Sequence, residues 1–224
     1  MRTSVTLKLK YQDLTLTLPP GVEADPKLLD GGHPLYYCFK NPHQTEAYLN
    51  CVTELLEELP KGMDVIELCG GIGLVAACVQ PLIQARRWYS IELDPACSPV
   101  FLEQPAVFPK LEDMYTPRDY SLYDLIICEF SDNTLPKMWR DKRKKKLMDD
   151  IVASEPSYIY IADVGSYWCH LENHTAAYKE FFPEKPTPQN YHEYFDMYMN
   201  LQYGYKVTKW RRGGGASYFL LEKA

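Results

Sequence analysis

Four carboxylates, Glu67, Glu92, Glu129 and Asp163, each stand at the carboxyl end of a short apolar run, where a sheet would present them to a ligand. The first is followed at once by a glycine-rich turn, Cys69-Gly70-Gly71-Ile72-Gly73-Leu74. Glycine reaches left-handed or crowded backbone angles and lets a ligand lie against the main chain where the next helix begins. Glu92 closes a second apolar run twenty-five residues after Glu67. A strand-end acid at roughly that spacing (~20 residues) accepts hydrogen bonds from ribose hydroxyls. Together the two point to a nucleoside site; singly, each also reads as a solvated strand-end carboxylate. On the reacting side stand Glu129, Asp132 and Asn133. A carboxylate here could orient an amine or take its proton, while Ser131 and Asp132 would equally serve as helix N-caps.

Other constellations carry less. Cys169, His170 and His174 put two histidines on one helix face, but nothing at regular spacing completes a zinc set, so no metal is expected. The run Arg140, Lys142, Arg143, Lys144, Lys145, Lys146 could meet the phosphates of a nucleic acid, with Trp139 to stack. It also reads as a solvated helix face, and a net charge of −6 disfavours nonspecific binding to nucleic acid. Seven cysteines, odd in number and partly inside apolar runs, suit reduced thiols. With no signal-like or membrane-length apolar segment, a soluble cytoplasmic protein is expected.

The elements that must position these residues follow from periodicity. Val5, Leu7 and Leu9, then Leu14, Leu16 and Leu18, alternate about a turn and predict an N-terminal β-hairpin. Asn41-Pro42 opens a helix whose apolar positions include Leu49, Val52 and Leu55, with His43 and Gln44 near a ligand crevice and Tyr36 and Tyr37 as parts of a lid or of the core. From residue 63 strand and helix alternate, including a helix begun by Pro95, which argues an α/β chain with a parallel sheet. Tyr123 to Cys128 and Tyr158 to Ala162 read as buried strands whose ends place Glu129 and Asp163 in the crevice. The aromatic stretch from Tyr191 to Tyr198 reads as packing surface, and residues 206–221 as a closing hairpin. We divide the chain into 1–41, hairpin and connection, and 42–224, the site-bearing domain, within one compact unit.

The order acid-ended strand, glycine turn, helix, second strand ending in Glu92, and final hairpin resembles the class I S-adenosylmethionine-dependent methyltransferases over roughly residues 42 to 222. Cys69 stands where that family usually has its first glycine. The resemblance implies a three-layer αβα Rossmann-like fold, with a mostly parallel seven-strand sheet, a C-terminal antiparallel hairpin and, here, the N-terminal hairpin as an extension. It implies S-adenosylmethionine as cofactor, held by Glu67, Cys69, Gly70, Gly71, Gly73, Leu74, Glu92, Leu93, Asp113 and Met114. A dinucleotide is the competing ligand, but the acid at Glu67 would repel a pyrophosphate and attract a sulfonium or amino group. Locally, Glu67 to Gly73, Glu92-Leu93-Asp94 and Pro156 to Val164 are similar to blocks of the DNA cytosine-5 methyltransferases. That family's catalytic Pro-Cys step is missing, and Cys128, inside a strand, does not replace it. The function expected is methyl transfer, with nucleic acid as the leading acceptor. A catalytically inactive binding module and a lyase or hydrolase that consumes the cofactor are the alternatives.

Overall fold

The computed structural model describes residues 4–19, 34–129, 138, 140–165, 182, 184 and 186–224. Asp132, Asn133, Cys169, His170 and His174 lie outside the described residues.

The chain begins with β1 (Ser4–Lys8) and β2 (Asp13–Thr17), paired antiparallel with Val5 opposite Leu16 and Leu7 opposite Leu14. Then come α1 (Tyr36–Lys40) and α2 (Pro42–Leu56). Proline suits the first position of α2 because its missing N–H has no helical acceptor there. The alternation proper runs β3 (Asp64–Leu68), α3 (Leu74–Ile83), β4 (Arg87–Glu92), β5 (Val107–Leu111), β6 (Leu125–Cys128), α4 (Lys142–Ala153) and β7 (Tyr158–Asp163). It closes with α5 (Tyr191–Tyr203), β8 (Tyr205–Gly213) and β9 (Ala216–Lys223). The segment opened by Pro95 is a 3-10 turn, Pro95–Val100, rather than the α-helix its sequence suggests. Pro99 has no N–H to give a longer helix, and Phe101 is extended.

Seven strands form one sheet in the order β5-β4-β3-β6-β7-β9-β8. The first five pair in parallel, and β9 inserts antiparallel between β7 and β8. Register assigns the two faces. Glu67 lies opposite Ser90 and Ile127, Ile127 opposite Tyr160, and Tyr160 opposite Leu220, so these residues share one face with Glu129, two residues beyond Ile127. That face packs with Leu49, Val52, Val75 and Val79 of α2 and α3, and with Val5, Leu7 and Leu16 of the hairpin. On the other face Ile126, Cys128, Ile159 and Ile161 pack with Leu147 and Ile151 of α4 and with Tyr191, Phe195 and Met199 of α5, so the aromatic stretch is packing surface. Burying each of these large side chains contributes about 1.5–3 kcal/mol. Among the described residues no helix is long and apolar enough to cross a membrane.

Candidate active site

The turn after β3 is shaped by what lies beneath it. Cys69 adopts φ +64°, the left-handed conformation, which explains why glycine is the usual occupant of that place. Its Sγ approaches Met114 Sδ at 3.1 Å. A Cβ on Gly70 would fall 1.9 Å from Ser90 Oγ and 2.9 Å from Glu67 Oε2, so only glycine fits. Gly73, at φ +79°, is covered by the Phe101 ring and caps α3, which begins at Leu74. Gly71 is different: around it no atom lies within 4 Å of a Cβ position, and its backbone faces open space.

Glu67 is fully buried under this turn and accepts a hydrogen bond from Trp88 Nε1 at 2.9 Å. Burial, with the Glu129 and Glu92 carboxylates nearby, pushes its pKa up to about 8. Glu92 is built differently. Its Oε2 accepts from the Gly71 N–H at 2.9 Å, and its Oε1 accepts from the N–H groups of Leu93 and Asp94 at 2.7 and 2.9 Å. It therefore ties the end of β4 to the glycine turn while lining a cleft with Gly71, Ser90, Ser98 and Phe101.

A second cleft is lined by Cys69, Ile91, Leu93, Asp113, Met114 and Tyr115, so the residues assigned from the turn and from the ends of β4 and β5 converge. Asp113 accepts from the Tyr115 N–H at 3.0 Å and pairs with Arg143 at 3.0 Å, while Arg143 covers the Tyr115 ring at 4.0 Å. Of the basic run, Lys145 and Lys146 pair with Asp149 and Asp150 one helical turn on, Lys144 is buried, and Arg140 and Lys142 are exposed.

Glu129 follows β6, its N–H donating to Leu68 O at 3.2 Å, which sets it beside the end of β3. Tyr48 of α2 and Tyr160 of β7 turn their hydroxyls toward its carboxyl and lower its pKa, but burial outweighs them and the pKa rises to about 7. Glu129 Oε1, Tyr160 OH, Glu67 Oε1 and Ser90 Oγ are buried without a hydrogen-bond partner among the described residues. No Lys or Arg makes an ion pair with Glu67 or Glu129 among the described residues.

One expectation is corrected. Asp163 lies on the opposite sheet face from Glu129, buried, with its Oδ1 accepting from Tyr191 OH at 2.9 Å; period-two alternation from Ile159 and Ile161 puts it there. Gln44 donates to Gly214 O at 2.8 Å at the β8–β9 turn, and His43 is exposed beside Glu46; neither is among the residues lining the two clefts described above. Tyr48, Ser90 and Tyr160 went unassigned in the sequence, although strand register, Glu67 opposite Ser90 and Ile127 opposite Tyr160, is the signal that finds the last two. Cys128 is fully buried on the Asp163 face, and burial raises its thiol pKa far above the ordinary value.

No protein-family model matches the chain, and no curated protein matches it in sequence. Solved structures do match. M. jannaschii TYW2 in complex with AdoMet aligns at TM-score 0.50 and 12% identity, over 100% of this chain and 88% of that one. The N-methyltransferase NodS from Bradyrhizobium japonicum WM9 aligns at TM-score 0.54 and 11% identity, over 82% and 97%. A SAM-dependent methyltransferase from Aquifex aeolicus aligns at TM-score 0.50 and 15% identity, over 89% and 99%. The fold is that of the class I S-adenosylmethionine-dependent methyltransferases. In this methyltransferase fold ligands meet the carboxyl ends of the parallel strands, where the sheet order reverses between β3 and β6. Glu67, Glu92 and Glu129 stand at that edge.

Proposed function

We propose that the chain is an S-adenosylmethionine-dependent methyltransferase. The observation that carries this reading is electrostatic: two carboxyl groups, Glu67 fully buried and Glu129 with its Oε1 buried, flank the glycine turn, without an ion-paired Lys or Arg among the described residues. A cationic ligand relieves that arrangement, and a pyrophosphate worsens it. The remaining groups suit the rest of the molecule. The open backbone at Gly71 admits the amino-acid portion, Glu92 receives ribose hydroxyls on its remaining lone pairs, and Leu93, Met114 and Asp113 border an adenine. When bound, the cofactor supplies a methyl group activated on a sulfonium. The protein's own task is to hold an acceptor, free of its proton, in line with that methyl group.

Calorimetry with S-adenosylmethionine and S-adenosylhomocysteine tests the cofactor. Binding at micromolar concentration, weakened at least tenfold by Glu92→Ala, is expected; no heat at high micromolar ligand with wild type overturns the reading. Chromatography of the products separates the alternatives: transfer yields the homocysteine derivative and a methylated acceptor, a lyase or hydrolase yields other fragments, and a binding module yields nothing.

For nucleic acid as acceptor, the supporting feature is the exposed Lys142 at the start of α4, with exposed Arg140 just before that helix, near the cleft that Arg143 borders. The pairing of Arg143, Lys145 and Lys146 with Asp113, Asp149 and Asp150 takes charge from that surface. Oligonucleotide binding that falls steeply with salt and weakens on Lys142→Glu supports it; salt-insensitive or absent binding removes it.

A further inference from the structure

We infer that Glu129, Tyr48 and Tyr160 form the receiving pocket for an alkylamine, bound as its ammonium and deprotonated by Glu129. The inference rests on the methyltransferase reading and names its acceptor class. Three elements build the pocket on one sheet face. Glu129 continues the inward row of Leu125 and Ile127, Tyr160 stands opposite Ile127 on the neighbouring strand, and Tyr48 comes from the helix above. A fourth element fixes their positions. The β8–β9 turn is drawn against α2 because Gly214, at φ +57°, would put a Cβ only 2.9 Å from Tyr48 Cβ, and Gln44 holds the Gly214 carbonyl. This seats the Tyr218 ring 5.6 Å from Tyr48 and nearly parallel to Tyr160 at 6.5 Å, while the Tyr218 hydroxyl donates to Gly213 O at 2.9 Å. Tyr218 is thus a positioning residue, its polar end already used.

What remains unused is informative. Glu129 Oε1 and Tyr160 OH are both buried and neither completes a hydrogen bond among the described residues, although the Tyr160 hydroxyl lies close enough to the Glu129 carboxyl to lower its pKa. Leaving such groups unpaired is unfavourable, because the hydration they lose is not replaced. A donor with several N–H groups and positive charge satisfies both together. A hydroxyl brings one donor and no charge. A phosphodiester would meet the Glu129 carboxylate, which repels it.

The proton step balances simply. One N–H bond of the ammonium breaks, its electron pair stays on nitrogen, and Oε1 gains the proton; the lone pair so exposed is the nucleophile that methyl transfer requires. Burial raises the Glu129 pKa to about 7, which brings this base nearer to an amine than an ordinary carboxylate would be. The titratable groups whose charge reaches Glu129 are Tyr48, Tyr160, Tyr218, Glu67 and Cys69, with Cys128 on the other face of the sheet. The tyrosines and cysteines all have raised pKa values, so the carboxyl groups alone titrate between pH 5 and 8.

The test uses full-length protein saturated with S-adenosylhomocysteine, which fills the cofactor's own amino subsite. Binding of n-butylammonium and of its neutral isostere n-butanol is then followed by ligand-observed NMR. At pH 8 the ammonium is expected to bind at least tenfold tighter than the alcohol, and to lose at least fivefold on lowering the pH to 5.5. Glu129→Gln should abolish the preference, and Tyr160→Phe should weaken it about threefold. Equal binding of the two probes, or a pH-independent preference, overturns the inference on wild-type protein alone, whether or not a variant folds. A single-stranded oligonucleotide that binds in a Glu129-dependent manner while n-butylammonium does not also overturns it. If S-adenosylhomocysteine itself fails to bind, the methyltransferase reading falls instead, so the two failures are distinct.

Discussion

Glu67 carries a carboxyl group where water does not reach, and its pKa of about 8 means that the unliganded protein holds a proton there at neutral pH. A carboxyl whose folded pKa is raised above its unfolded value stabilises the fold fully below about pH 4.5, and that contribution is lost as the pH rises toward 8. The neutral variant Glu67→Gln should therefore leave the melting temperature nearly unchanged at pH 5 and raise it by about 4–8 °C at pH 8.5, equivalent to roughly 2 kcal/mol, in the absence of ligand. Differential scanning calorimetry at the two pH values checks this; an equal change at both would show that charge is not the cause. An opposite sign belongs to Asp64, at the far end of the same strand. It is almost fully buried and held by Arg86 and Arg87 at 2.5 and 2.6 Å, which keep its pKa well below the ordinary carboxylate range. Its contribution is present above about pH 4 and disappears on acidification. Asp64→Asn should destabilise the protein by about 1–3 kcal/mol at pH 7, measured by urea unfolding, and should leave S-adenosylhomocysteine affinity within twofold.

Among the elements, the turn from β3 to α3 is the one where backbone and ligand requirements meet. Gly70→Ala would drive a methyl group into Ser90 and the Glu67 carboxyl. We expect it to lower stability by about 1–3 kcal/mol and to weaken cofactor binding at least tenfold, because the turn must lift to make room. Urea midpoints with and without S-adenosylhomocysteine separate the two effects. This turn was plain in the sequence because glycine, acid and apolar run are local signals, and so were Glu92 and the terminal hairpin. The tyrosine wall was not. Eighteen tyrosines are spread along the chain, and nothing in their spacing says which of them meet. Tyr48, Tyr160 and Tyr218 are brought together by a helix and two strands, through the register of β7 against β9. The same limit applied to Asp163: its place at a strand end was legible, but its face depended on a one-residue difference in phase from Tyr160.

The molecule as a whole joins its parts through one apolar continuum. Val5, Leu7 and Leu16 of the N-terminal hairpin belong to the same buried cluster as Leu49, Val65 and Leu220, and Gln12 reaches across to donate to Ala77 O at 2.9 Å. Leu7→Ala should accordingly cost about 2–5 kcal/mol, as Leu49→Ala should, with one cooperative unfolding transition retained in each case. A separate early transition confined to the hairpin, seen by circular dichroism and tryptophan fluorescence together, would contradict this. The outer strand β8 exposes Lys206, Arg211 and Arg212, charges that discourage a second chain from pairing at that edge. One consequence of the strand order concerns synthesis. β9 follows β8 in the chain yet lies inside it, between β7 and β8. A ribosome must release residues 216–223 before the inner strand of that half can be laid down. Until then β7 lacks its antiparallel neighbour, and the Tyr160 ring lacks the Tyr218 ring that parallels it. A nascent chain can assemble the parallel strands that shape the glycine turn, but the amine pocket waits for the last strand to arrive.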